Sequence, residues 1–409
     1  MSTRGDRARA QPGPVAVGVS RRSACGRIFA TPRACCKCRR KTVRSVAYTT
    51  DFSRQYDQRG GRFRGGSAPF PTSASSSRRA RLAEKRIPRD LCMPTVSVVI
   101  PCFNRAGLLS EAIASVTCQT RAALELIVVD DASTDDSAAI AEGMGARVVR
   151  LSANGGTPNA RNVGIHAAMG DLVAWLDSDD YWEPRHLETV AGLLDNNPSA
   201  AVASSAVRYF GNVADATRQK VWYCNVPDSG PADVLAQAFY STPIPMSSTV
   251  VRREALIESG GFDERERTAE DFGMWLRLAA RHQFIASREV TANYRFHASQ
   301  TSAFPEIQWE ETYQSRRRFL DELNRWGDKQ RGVELEKIFA RRWITDAEGA
   351  WDQGRIHWLR RLVDLAALVP GIPSDVRRKV WLRAYTPTAI VNGARICRSL
   401  ARKVTAHGT

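Results

Sequence analysis

Three carboxylates crowd into four residues at Asp177-Ser178-Asp179-Asp180, directly after the apolar run Leu172-Val173-Ala174-Trp175-Leu176. An unbroken apolar run of that length suits a strand covered by helices on both faces, as in a parallel sheet. Acids at the carboxyl end of such a strand lie where open α/β sheets bind their ligands. Like charges this close repel unless a cation or a proton relieves them. Oxygen ligands one residue apart suit Mg²⁺ or Mn²⁺, hard cations that bridge carboxylates to substrate phosphates. The alternative is an acidic turn ahead of a helix beginning near Pro184, since acidic caps are common.

Other groups fall at the carboxyl ends of neighbouring predicted strands. They are Pro101-Cys102-Phe103-Asn104, Asp130-Asp131, and Asn154-Gly155-Gly156 followed by Arg161-Asn162. With the acids they form the outline of a nucleotide site. An acid after the second strand can accept hydrogen bonds from a base or ribose. A glycine-rich loop with an arginine lets backbone and guanidinium approach phosphate. A metal on the acidic pair neutralises a diphosphate. The glycines match neither the dinucleotide fingerprint nor the P-loop, which argues against a Rossmann dehydrogenase or an ATPase.

The elements that must position these groups follow from the pattern. Strands are predicted over Thr95–Pro101, Leu124–Val129, Ala146–Leu151 and Leu172–Leu176. Helices between them cover Ala106–Cys118, then a stretch opened by the capping-box-like Ser133-Thr134-Asp135-Asp136 and running to Glu142. A third helix has Thr157 as N-cap and Pro158 at its first position, and ends at Gly170. This alternation predicts βαβ units and a mostly parallel sheet. Beyond it come a helix over Pro184–Asn196 and a strand over Ala200–Tyr209. Asn212–Pro245, broken by Pro227, Pro231, Pro243 and Pro245, gives no readable pattern. A strand over Ser248–Arg252, a helix over Glu254–Ser259 and a Gly260-Gly261 turn follow. Next come a helix over Ala269–Ala280 with Glu270 and Asp271 in its first turn, an extended run Phe284–Arg295, and a polar loop from His297 to Ser302. From Glu306 the pattern is helical to the end.

Charge divides the 409 residues into parts. The chain carries 59 Lys/Arg and 43 Asp/Glu, a formal net charge of +16, but residues 1–92 alone hold 22 basic against 5 acidic side chains. The rest is near neutral, so the basic balance is no sign of a nucleic-acid-binding body. Rich in Arg, Ser, Gly and Pro without apolar periodicity, 1–92 is expected to be a disordered leader, or to precede a true start at Met93. Residues 93–302 form the expected α/β domain and 303–409 a helical extension. Cys35 and Cys38 have zinc-like spacing, yet no second Cys/His pair follows at finger distance. The other cysteines are scattered, which suits reduced thiols in a cytoplasmic protein. No apolar stretch approaches the roughly 20 residues that span a bilayer. Residues 341–409 hold 13 basic and 5 acidic side chains, and Arg377-Arg378-Lys379-Val380-Trp381-Leu382-Arg383 mixes cations with apolar groups. That composition suits peripheral contact with anionic lipid, or a helical cap packed on the α/β domain.

Taken together, TVSVVIPCFNRAGLLSEAIASVTCQT, LELIVVDDASTDDS, NGGTPNARNVGIHAAMGDLVAWLDSDDYWEP, SSTVVRREALIESGGFDE and AEDFGMWLRLAARHQF, in this order, resemble the family-2 inverting glycosyltransferases of the GT-A fold. The resemblance covers roughly Thr95 to Ser302. It implies a nucleotide-sugar donor, typically UDP-linked, a divalent metal, and a glycan or lipid-linked acceptor. Residue by residue, it makes Asp131 the acid on the nucleobase and lines the nucleotide pocket with Pro101 to Asn104, Phe103 included. It puts Arg161 near base and diphosphate, and Asp177, Ser178 and Asp179 on donor and metal. His297 matches a late ligand to diphosphate or metal, and Asp271 the catalytic base, with Glu270 behind it. Trp182 and Trp275 become core or pocket walls, and Arg161 could otherwise pair with an acid such as Asp130. Inverting transfer needs one carboxylate to take the acceptor's proton, and intact Asp177, Asp179 and Asp271 favour an enzyme over a binding or scaffold protein of the same fold.

Overall fold

The computed structural model of the chain describes residues 93–211, 221–242, 244–297 and 305–385. The leader 1–92 with its Cys35/Cys38 pair, the polar loop after His297 and the tail 386–409 lie outside the described residues. So does 212–220, part of the stretch with no readable pattern.

The first half alternates as expected: β1 (Val96–Cys102), α1 (Leu109–Thr117), β2 (Glu125–Asp130), α2 (Ser137–Gly143), β3 (Arg147–Arg150), α3 (Thr157–Ala167) and β4 (Leu172–Trp175). Then follow β5 (Tyr181–Trp182), α4 (His186–Asn196), β6 (Ala200–Gly211), β7 (Val221–Trp222), α5 (Leu235–Tyr240), β8 (Thr249–Arg252) and α6 (Arg253–Glu258). The second half closes with α7 (Glu270–Ala279), β9 (Gln283–Phe296), α8 (Pro305–Trp326), α9 (Lys329–Asp352), α10 (Ile356–Leu365) and α11 (Ser374–Tyr385).

The strands form one sheet in the order β3-β2-β1-β4-β8-β6-β9-β5, with β7 on β6. The first four are parallel, β8 runs against both its neighbours, and β6 and β9 are parallel to each other. The carboxyl ends of β1, β2, β4, β6 and β9 therefore open on one edge. A short apolar run such as Thr249–Arg252 looks the same in either direction, which is why the mixed centre of the sheet was not legible.

Two local expectations change. The third helix begins at Thr157 itself, and Gly156, at φ 85°, holds the N-cap position. Its end is Ala167, and the chain is already extended at Ala168. Gly170 instead permits a close approach. A Cβ there would lie 2.7 Å from the Ser97 backbone nitrogen, so only glycine lets this loop run against β1. The stretch Ser133-Thr134-Asp135-Asp136 likewise makes no capping box: α2 begins at Ser137, and Asp136 holds its N-cap position without a side-chain cap bond. Asp135 accepts from Ser137 N at 3.0 Å and from Ala106 N at 3.0 Å, tying the loop after β1 to the start of α2.

Each face of the sheet is buried. On one side Val98, Ile100, Leu109, Ile113 and Val190 pack together. On the other, Val99, Ile127 and Trp175 continue through Phe272 and Trp275 to Phe339, Trp343 and Leu359 of α9 and α10. The helical C-terminal region thus shares a core with the sheet. Among the described residues no helix is long and apolar enough to cross a membrane.

Candidate active site

A cavity of about 660 Å³ opens at the carboxyl edge of the sheet, within the range of small-molecule sites. Pro101 and Phe103 border it from the end of β1, Asp131 from the end of β2, and Asp177, Ser178 and Asp179 from the end of β4. Arg161 of α3 and Asp271 of α7 complete the border among the expected residues. Asn104 does not line it. Its backbone is left-handed at φ 51°, and its side-chain oxygen accepts from Thr134 N at 2.9 Å, so it shapes the loop behind Phe103.

Asp131 is almost fully buried, and its two oxygens accept from Gly155 N and Gly156 N, each at 2.8 Å. These loop amides are engaged by the acid, not aimed at a phosphate as the glycine pattern suggested. Asp130 takes no arginine among the described residues and accepts from Ser133 N at 3.3 Å.

Arg161 links the two halves of the site. Only 4% exposed, it donates through Nη2 to Asp177 Oδ1 and through Nη1 to Glu270 Oε1, both at 2.7 Å. Phe262 lies 5.4 Å from its guanidinium. One cation therefore joins the acid after β4 to the first residue of α7. Burial pushes the Glu270 carboxyl above its ordinary range, with Arg161 pulling it back and Asp271 pushing it further. Burial also raises Asp271, again opposed by Arg161, while Phe272 N donates to its Oδ1 at 2.7 Å.

The crowded acids are relieved one by one. Asp177 has Arg161. His297 Nε2 lies 2.8 Å from Asp179 Oδ2, with Arg105 Nε at 3.9 Å. Asp180 is buried and accepts from Ser247 Oγ at 2.6 Å and Arg295 N at 2.8 Å. Burial, reinforced by Asp179 and Asp177, raises its pKa well above the carboxylate norm. Asp180 is thus a structural acid that anchors the loop.

These residues fit a divalent ion held jointly with a substrate. Among the described residues no three His, Cys, Asp or Glu side chains gather into an all-protein cage. Mg²⁺ needs none, being bound by one or two carboxylates plus phosphate and water. His297 Nε2 and Asp179 Oδ2 form a hydrogen-bonded pair at 2.8 Å, an imidazole and a carboxylate of the types that bind divalent ions. Asp177 keeps Oδ2 clear of hydrogen bonds from the described residues.

Several lining residues were not anticipated. Tyr209 of β6, Trp222 of β7 and Phe296 of β9 form an aromatic wall, with Tyr209 5.1 Å from Phe296 and 6.4 Å from Trp222 between ring centroids. Arg295 borders the same wall and donates through Nε to the Asp179 carbonyl at 2.8 Å. Gln308 reaches the cavity from α8. No motif marked any of them, because their placement depends on the mixed half of the sheet. Trp182 and Trp275 are core residues, not walls. Trp182 stacks on buried His186 at 4.2 Å and donates to the Ser247 carbonyl, and Trp275 is fully buried against Phe284.

Comparison with known proteins bears on this geometry. Residues 97–260 match the family model described as Glycosyl transferase family 2. The uncharacterized glycosyltransferase RP339 of Rickettsia prowazekii is 28% identical over 219 residues, 52% of this chain and 68% of its own length. The uncharacterized glycosyltransferase EpsJ of Bacillus subtilis is 40% identical over 93 residues, 22% of this chain and 27% of its own. Among solved structures, S. aureus TarS 1–349 in complex with UDP-GlcNAc superposes with a TM-score of 0.54 at 19% identity, over 76% of this chain and 92% of that one. At that identity the likeness is one of fold.

Proposed function

We propose that this chain, which belongs to glycosyltransferase family 2 and is a transferase of the GT-A fold, moves a sugar from a UDP-linked donor to an acceptor hydroxyl with inversion. The observation that carries the reading is the Arg161 bridge, which sets the Asp177–Asp179 cluster and Asp271 on one cavity. In this reading Asp131 faces the base, with Pro101 and Phe103 against it. The acceptor oxygen attacks the anomeric carbon from the side opposite the departing diphosphate, and Asp271 takes its proton. Asp177, Asp179 and His297 would hold Mg²⁺ or Mn²⁺, which offsets charge on the leaving diphosphate when bound. The TarS structures in complex with UDP and with UDP-GlcNAc support the choice of uridine. The acceptor is a glycan or a lipid-linked sugar.

A thermal-shift series with nucleoside diphosphates and nucleotide sugars, with and without Mn²⁺, tests the donor. A ligand at about 100 times its Kd adds about 2.7 kcal/mol, so UDP with Mn²⁺ should raise the Tm clearly. Stabilisation by another base alone would replace the donor, and silence towards all of them would remove it.

We also propose a cytoplasmic site of action, peripheral to the membrane through α11. Trp381, Leu382 and Tyr385 are about half exposed beside Arg377, Arg378 and Lys379, the mixture an anionic bilayer surface binds. The full chain should sediment with phosphatidylglycerol-containing vesicles and not with phosphatidylcholine ones, and Trp381→Ala with Leu382→Ala should weaken this. Equal sedimentation by the double variant would send the contact elsewhere.

A further inference from the structure

Gln308, Glu311, Ser315 and Arg318 are spaced three, four and three residues apart on α8, so they share one helix face. Gln308 borders the cavity, and the other three grip the segment that leads into α7. Glu311 Oε2 accepts four hydrogen bonds from that segment. The donors are the backbone N–H groups of Arg267 at 3.1 Å, Thr268 at 2.7 Å and Ala269 at 3.1 Å, and the Thr268 hydroxyl at 2.8 Å. Ala269, in the N-cap position of α7, has no side-chain oxygen to offer. A carboxylate from another helix instead collects the amides that run into Glu270 and Asp271, and its charge meets the positive end of α7.

A second grip lies one turn along. Ser315 Oγ donates to Glu266 Oε1 at 2.6 Å, Arg318 pairs with the same oxygen, and Arg318 Nε lies 3.7 Å from Asp263 Oδ2. Glu266 is 2% exposed, and α7 makes room for it: a Cβ on Gly273 would stand 2.6 Å from Glu266 Oε2. A glycine inside a helix is costly, so this one has a packing reason. The turn before Asp271 is therefore held by α8 at two independent points.

We propose that Glu311 is a positioning residue for the transfer step: it fixes the turn that delivers Asp271 to the cavity, and so governs turnover from α8 without itself touching the donor. This rests on the transferase reading above, and the test separates the two. UDP release from UDP-GlcNAc and amide hydrogen exchange would be measured on the full chain for wild type, Glu311→Ala and Glu311→Gln. Misplacing a catalytic group by about 1 Å costs on the order of 100-fold. Glu311→Ala should accordingly lower kcat by about 10- to 100-fold with KM for the donor unchanged. Glu311→Gln, whose amide oxygen still accepts, should retain most of the rate. Exchange should quicken at residues 267–271 in Glu311→Ala and stay unchanged in β1. Unchanged kcat in Glu311→Ala would overturn the proposal, and so would kcat, KM and exchange throughout the chain moving together. If wild type released no UDP from UDP-GlcNAc or from any other nucleotide sugar, the transferase reading would fall, and unchanged exchange at 267–271 would separately refute the clamp.

Discussion

Asp271→Asn should stop sugar transfer and leave nucleotide binding intact. The substitution keeps the shape of a side chain in the first turn of α7 and removes its charge and its capacity to take a proton. A general base contributes about 10²–10⁴-fold, so kcat should fall by that factor while the Kd for UDP stays within error. Burial raises the Asp271 pKa, and the negative charge of Asp177 adds to the rise. A base acts only when deprotonated, so the acid limb of the wild-type kcat profile should lie above the ordinary carboxylate range, and kcat should fall as pH drops through it. Steady-state kinetics across pH with isothermal titration of UDP would check both. Wild-type turnover in the variant would take Asp271 out of the chemistry.

The largest stability effect is expected at Arg161. It is buried between Asp177 and Glu270, and Arg161→Met leaves both acids beside an apolar side chain. Breaking a buried ion pair from one side costs about 3–5 kcal/mol, read as a shift of the urea midpoint. Lysine should not rescue it, since one ammonium cannot reach two carboxylates with the planar fork of a guanidinium. The sign with pH is a further check. Glu270 already has a raised pKa in the folded chain, which favours its protonated form. Removing Arg161 raises it further, so the deficit of the variant should shrink as pH falls from the variant's higher folded value through the wild-type folded value of about 7, the unfolded value being common to both. A deficit that grows on acidification would mean that Arg161 does not neutralise these acids.

The first half of the chain was legible because its signals are local. An apolar run marks each parallel strand, and a turn carrying Pro101–Asn104, Asp131, Asn154 or Asp177 marks its carboxyl end, so chemistry and element came from the same residues. Arg161 could be placed near the acids from its helix, but that it would join Asp177 to Glu270, 109 residues away, depends on how α7 packs. The second half hides its logic for the same reason. The short run at β8 carries no direction, and the prolines around α5 concealed the β7 strand that brings Trp222 to the cavity. Glu311 carried no signal at all: a glutamate on a helix face looks solvated until the amides of 267–269 are brought against it. Gly170 was noticed for the wrong reason, since glycine ends helices often and the approach to Ser97 is a tertiary fact.

The proposed chemistry requires that this cavity break the bond between a sugar and a nucleoside diphosphate and pass the sugar to an acceptor. Its most direct test is to incubate the full chain with UDP-[¹⁴C]GlcNAc and other labelled nucleotide sugars, Mn²⁺ and a bacterial envelope extract as acceptor source, with Asp271→Asn as control. Wild type should release UDP and pass label into a glycan or lipid fraction, and the variant should do neither. Tight nucleotide binding with no release of UDP from any donor would contradict the transferase reading and leave a nucleotide-sugar-binding protein on a transferase fold.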